Sequence, residues 1–165
     1  MIWPAVAILG FVTLQRLFEL WLSNRNTRRL VARGADEHGR AHYPLLIALH
    51  VTWIATLWWL APGRPVNVPL LVVYVLLQVG RAWAIATLGE HWTTRIIILP
   101  GAPLIRTGPY RFVPHPNYLI VTLEIAVLPL VFGLWQIAVV FSIANAIILW
   151  IRIRAENTAL EMLRR

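Results

Sequence analysis

Five apolar stretches decide what this chain can fold into. Residues 2–22, 44–61, 68–88, 117–132 and 134–151 consist mostly of Ala, Val, Ile, Leu, Phe and Trp. A helix of about 20 such residues crosses roughly 30 Å of hydrocarbon. Inside that hydrocarbon only a helix or a closed barrel satisfies its own backbone. The runs are continuous and do not alternate, so the expected fold is an all-α integral membrane protein of about five transmembrane helices. Mean hydropathy of +0.67 and an apolar content of 59% agree, because soluble domains carry a smaller apolar share. The start, Met1-Ile2-Trp3-Pro4, lacks a basic region and a cleavage pattern, so it reads as the beginning of the first span and not as a removable signal.

The charges lie between and at the ends of these runs. All 15 basic residues are arginine, and the net charge is +8. Their placement beside apolar segments points to lipid headgroups and not to nucleic acid. Five arginines fall in residues 23–43, read as a polar loop, and others in 89–116 and 152–165, whereas Arg64 is alone on the opposite side. The positive-inside rule then places the N-terminus outside and the C-terminus in the cytoplasm. Asp36, Glu37, His38 and His42 lack a recognised metal-ligand spacing, and the absence of cysteine excludes thiolate chemistry.

Several polar residues interrupt the spans. Gln15 and Glu19 share a helix face, and Arg16 reaches Glu19 at i+3. They read as an interfacial pair or as part of an internal polar site. His50 reads as a satisfied or lipid-facing residue. Trp58 and Trp59 suit an interfacial belt. Gln78 and Arg81 lie near the far end of the third span, and Ile96 to Leu99 is too short to cross and reads as interfacial or briefly extended.

The segment Gly108 to Tyr118, Gly-Pro-Tyr-Arg-Phe-Val-Pro-His-Pro-Asn-Tyr, is polar, aromatic and stiffened by Pro109, Pro114 and Pro116. Pro116 suits the first helical position of the fourth span, with His115 at the N-cap. The first-turn N–H groups face back into the loop and suit an acceptor or an anion. Tyr110 and Tyr118 offer ring faces to a cation such as a sulfonium. Glu124 follows Asn117 by seven positions, on nearly the same face and about two turns deeper. A carboxylate at that depth is a functional candidate, or the partner of Arg81 or Arg152. Arg152 and Glu156 are spaced as a surface ion pair. The tail, 152–165, reads as an amphipathic helix.

The loop, the apolar hairpin after it and the closing Arg-Ile-Arg-Ala-Glu-Asn-Thr-Ala-Leu together resemble the isoprenylcysteine carboxyl methyltransferase family, within a wider phospholipid methyltransferase group. The resemblance covers roughly residues 78–163. Arg81-x-Trp83, Leu88-Gly89 and Trp92-Thr93 resemble a small bacterial subgroup associated with polyketide-derived phenolic or pyrone lipids. It implies one methyltransferase domain over 1–165, with three spans in 1–88 and a cofactor loop, hairpin and tail helix in 89–165. It further implies a bacterial plasma membrane location and an S-adenosyl-L-methionine site. Leu104, Ile105, Tyr110, His115, Pro116, Asn117, Tyr118 and Glu156 would hold the cofactor. Arg152 would face a lipophilic acceptor in the membrane, and Glu124 or His115 would take a proton where the acceptor carries one. Pro114 stands where the family carries arginine, and Asn157 where it carries a second acid. Two other readings use the same residues: an NAD(P)H-dependent membrane reductase with a similar His-Pro loop, and a non-enzymatic scaffold or transporter. The first needs more basic contacts for a dinucleotide; the second favours repeats, which this sequence lacks.

Overall fold

The computed structural model describes residues 2–102 and 105–162, with the backbone alone at residue 157 and residues 159–162. Five helices make up the bundle: α1 (Trp3–Ala32), α2 (Tyr43–Leu60), α3 (Val68–Leu88), α4 (Pro116–Val131) and α5 (Trp135–Met162). α1, α2, α3 and α5 are long and apolar enough to cross a membrane, whereas α4 is shorter. At 16 residues α4 measures about 24 Å, less than a full hydrocarbon width. It packs between α3 and α5, and its first residue, Pro116, is already buried.

Why the bundle belongs in a bilayer is visible in what it leaves exposed. Trp3, Phe11, Leu14, Phe18 and Trp21 face outward on α1, and Val72, Val75, Leu76 and Val79 do so on α3. Such continuous apolar faces are stable only against lipid. The interior is a separate cluster: Leu9, Val12, Trp53, Leu57, Tyr74, Ile125, Leu128 and Phe132. The turn between α4 and α5 is set by Gly133 at φ +69°, with Gly133 N–H donating to Leu130 O and Leu134 N–H to Pro129 O. This paired closure needs a left-handed residue just past the helix end, which glycine adopts without penalty.

Two boundaries differ from the sequence expectation. The polar loop expected at 23–43 is helical to Ala32, because α1 carries Ser23, Asn26 and Leu30 on a buried face that continues the helical period past the membrane run. The tail expected as a separate helix is the continuation of α5 to Met162, with no break at the end of its apolar run. The fold also contains a short antiparallel pair, β1 (Asp36–His38) against β2 (Ile96–Ile98), in the register Asp36 to Ile98 and His38 to Ile96. The isoleucine run is therefore extended and pinned to the α1–α2 connection.

Candidate functional site

Inside the bundle, three helices exchange charged hydrogen bonds. Arg81 of α3 donates from Nη2 to Glu19 Oε2 at 2.6 Å and from Nη1 to Glu124 Oε2 at 3.1 Å. Arg16 of α1 donates from Nη1 to Glu19 Oε2 at 3.0 Å and from Nη2 to Glu124 Oε2. Gln78 Nε2 donates to Glu124 Oε1 at 2.7 Å, and Gln15 Nε2 to Glu19 Oε1 at 3.0 Å. Two guanidiniums meet two carboxylates, so the cluster is neutral, and each carboxylate oxygen accepts at least one bond. That balance makes such a group tolerable away from water. Glu124 is fully buried here and lines neither cavity described below.

Nearer one end, a single threonine ties three helices together. Thr94 N–H donates to Ser23 Oγ of α1 at 2.8 Å, and its hydroxyl meets Tyr43 OH of α2 at 3.1 Å. Its carbonyl accepts from Arg152 Nη2 of α5 at 2.8 Å. One step away, Asn26 Nδ2 donates to Gly89 O at 3.1 Å and Trp92 O at 2.8 Å. Arg95 lies 4.5 Å over the Tyr43 ring and donates to Glu37 at 2.9 Å. The extension of α1 beyond the membrane run thus holds residues 89–95 as a wall.

Cavities open on both sides of that wall. The first, about 400 Å³, lies between the helices and is almost wholly apolar, with Leu46, Ile47, Ile54 and Val121 among its lining. Arg152 closes its inner end, and the Arg152 Nε is buried with no partner. The second, about 500 Å³, lies under the loops and is lined by Ile105, Tyr110, His115, Asn117, Tyr118 and Glu156. Trp92, Thr93, Asn117 and Tyr118 border both cavities. Tyr118 joins the two chemically: its hydroxyl donates to Glu156 Oε2 at 2.7 Å, while Arg152 lies 5.9 Å from its ring centre. The His115 ring stacks on Tyr118 at 5.2 Å, and His115 Nδ1 stands 3.9 Å from Glu156.

The loop backbone explains how these groups come to converge. Gly108 has φ +54°, and a Cβ there would lie 2.5 Å from Thr87 Oγ1 on α3, so the loop can rest against α3 only with glycine. Pro109 and Pro116 each open a helical turn, the first a short 3₁₀ turn over Gly108–Arg111, the second α4 itself. His115 is the N-cap of α4 through its backbone, and its carbonyl accepts from Tyr118 and Leu119 N–H. Burial, and then the charge of Glu156, push the Tyr110 phenol up to about 12, so it stays a neutral donor.

Of the sequence candidates, Ile105, Tyr110, His115, Asn117, Tyr118 and Glu156 come together in the loop cavity, and Arg152 faces the apolar one. Pro116 lies buried beneath, and Leu104 lies outside the described residues. Arg152 and Glu156 bond to Thr94 and Tyr118 instead of to each other. His50, expected to face lipid or to be satisfied, is half-buried on the apolar cavity wall. Ser23, Asn26 and Thr94 were not singled out by the sequence; such residues carry no motif, and only their place between apolar runs marks them.

Two orphaned donors and acceptors in the loop cavity, Tyr110 OH and Asn117 Oδ1, are buried without partners. Together with Glu156 and the aromatic faces they fit a cationic, hydrogen-bonding ligand. Comparison with known proteins gives the family. Residues 70–162 match the isoprenylcysteine carboxyl methyltransferase (ICMT) family. A protein of Bacillus subtilis (strain 168), described as uncharacterized protein YpbQ, is 35% identical, with 98% of this chain and 97% of the relative covered. An uncharacterized protein of Haemophilus influenzae is 29% identical, with 90% of each covered. No solved structure matches the chain. With more than half its length matched, and with the family's loop, hairpin and Arg-Glu tail folded around adjoining cavities, this chain belongs to the ICMT family of membrane methyltransferases.

Proposed function

We propose that the chain uses S-adenosyl-L-methionine to methylate a lipophilic acceptor, with a phenolic or polyketide lipid favoured over a prenylcysteine carboxylate. The observation that carries this reading is the shared wall: an apolar cavity and a polar cavity separated by Trp92, Thr93, Asn117 and Tyr118. Bound under the loop, S-adenosylmethionine supplies an electrophilic methyl group. Glu156, Tyr110 and Asn117 bind its polar parts, and the stacked His115 and Tyr118 rings form an aromatic flank for its positive charge. On the other side, Arg152, which lines the apolar cavity, holds and stabilises an anionic oxygen. A phenol, with a pKa near 10 as in tyrosine, gains more from that guanidinium than a carboxylate does, because it must be held as the anion to react. Proximity of this kind is worth about 7–11 kcal/mol.

Glu124 is assigned to positioning and not to proton transfer, since both its oxygens already accept from Arg16, Arg81 and Gln78. The arginine distribution supports cytoplasmic placement of the loop cavity, with the acceptor entering from the bilayer. Calorimetry of S-adenosylhomocysteine binding to purified protein in detergent tests the cofactor; no heat of binding would sink the proposal. Transfer of label from S-adenosylmethionine to a panel of phenolic lipids, prenylcysteines and phospholipid amines tests the acceptor, and labelling confined to the carboxylates or amines would overturn the phenolic preference.

A further inference from the structure

The apolar cavity has a second polar station, well away from Arg152. His50 of α2 lines it among Leu46, Ile47, Val51 and Ile54. Its Nδ1 lies 2.9 Å from Leu46 O. A carbonyl only accepts, so Nδ1 carries the proton, and in the neutral ring Nε2 is left as a bare acceptor. Arg16 lines the same cavity, with its two terminal nitrogens bonded to Glu19 and Glu124. The unmet acceptor on the wall of this apolar chamber is therefore His50 Nε2. A ligand hydroxyl meets it by donating.

Depth places this station apart from the reacting end. Tyr43 and His50 are seven residues apart on α2, or about 10 Å along the axis. Tyr43 bonds to Thr94, whose carbonyl holds Arg152. α4 supplies an independent ruler. Asn117 borders both cavities, and Glu124, which holds Arg16, lies seven residues further on, again about 10 Å. A hydrocarbon tail alone would leave His50 Nε2 unmet in an apolar chamber, which is costly.

We propose that the acceptor carries a second hydroxyl, roughly 10 Å from the oxygen that is methylated, and that His50 Nε2 receives it. This rests on reading the apolar cavity as the acceptor's seat. His50 is then a specificity residue that selects acceptors polar at both ends over plain alkyl or prenyl phenols. The test uses two rigid probes, 4,4′-dihydroxybiphenyl and 4-hydroxybiphenyl, titrated into detergent-solubilised protein saturated with S-adenosylhomocysteine. The diol binds roughly 3- to 10-fold tighter to the wild type, the two bind alike to His50→Phe, and His50→Gln, which keeps an acceptor, restores part of the preference. Equal binding of the two probes by the wild type, or an undiminished preference in His50→Phe, overturns the proposal. S-adenosylhomocysteine binding by each variant reports an intact fold, since His50 is not among the residues lining the loop cavity. Its retention alongside a missing preference sinks the second-hydroxyl proposal alone. Its absence in the wild type sinks the methyltransferase reading beneath it.

Discussion

Arg152 and Glu156 are one turn apart on α5, and Tyr118 stands between what they do. Glu156 accepts from the Tyr118 hydroxyl at 2.7 Å on the loop side, and Arg152 lies against the ring on the membrane side. Their effects on function should therefore separate. Glu156→Ala removes a charge from the loop cavity and is expected to weaken S-adenosylhomocysteine binding by about 10-fold or more, a charged contact being stronger than a neutral one. Arg152→Ala is expected to leave that affinity within about 3-fold while lowering methyl transfer by roughly 100-fold, the scale for removing one donor from a developing or held anion. Calorimetry and single-turnover transfer on the same preparations check both. Equal losses of binding in the two variants would show that the cavities are not divided as described. The spacing of this pair alone suggested only a surface ion pair; its division between two cavities depends on Tyr118 from α4 and Thr94 from the wall, which no i,i+4 rule contains.

Among the elements, the extension of α1 beyond its apolar run carries the wall. Asn26 is buried and bonds the carbonyls of Gly89 and Trp92, and nothing else in α1 reaches those two groups among the described contacts. Asn26→Ala takes from the buried Trp92 carbonyl its side-chain donor, at a cost of about 1–3 kcal/mol. A lowered Tm in detergent, with weaker S-adenosylhomocysteine binding, is the expected result; an unchanged Tm would show that the wall stands without α1. Apolar run length located all five helices, because hydrocarbon thickness sets a minimum that sequence displays directly. It did not reveal that α1 continues past its run, since the arginines at 25, 28 and 29 look like a loop unless the buried period of Ser23, Asn26 and Leu30 is followed through them. Nor did it reveal β1 and β2, whose pairing is only three residues long and joins segments far apart in the chain. The loop was legible for a different reason: three prolines and a glycine leave it few conformations, and Gly108 against Thr87 is the contact that makes the glycine necessary.

At the scale of the whole molecule, charge decides both the interior and the orientation. The Arg16–Glu19–Arg81–Glu124 cluster joins α1, α3 and α4; the sequence displayed its i,i+3 half and offered Arg81 as a partner of Glu124, whereas the link of Arg16 to Glu124 and of Arg81 to Glu19 comes only from the packing of the helices. Glu124→Gln leaves one buried positive charge uncompensated and is expected to cost about 3–5 kcal/mol. Adding Arg16→Gln restores neutrality and should recover part of the loss, a coupling that a double-mutant cycle on Tm measures. Lost methyl transfer with an unchanged Tm would instead return Glu124 to the chemistry. For orientation the arginines outside the cluster matter. Arg64 is the one arginine between α2 and α3, so by the positive-inside rule the bundle should hold that turn outside and the wall in the cytoplasm. The absence of cysteine makes this directly measurable. In intact cells a membrane-impermeant maleimide is expected to label Gly63→Cys at once and Ala41→Cys only after permeabilisation, both positions being exposed and outside α1 to α5. The reverse pattern would put the loop cavity on the outer face, away from the cytoplasmic supply of S-adenosylmethionine, and the proposed reaction would lose its methyl source.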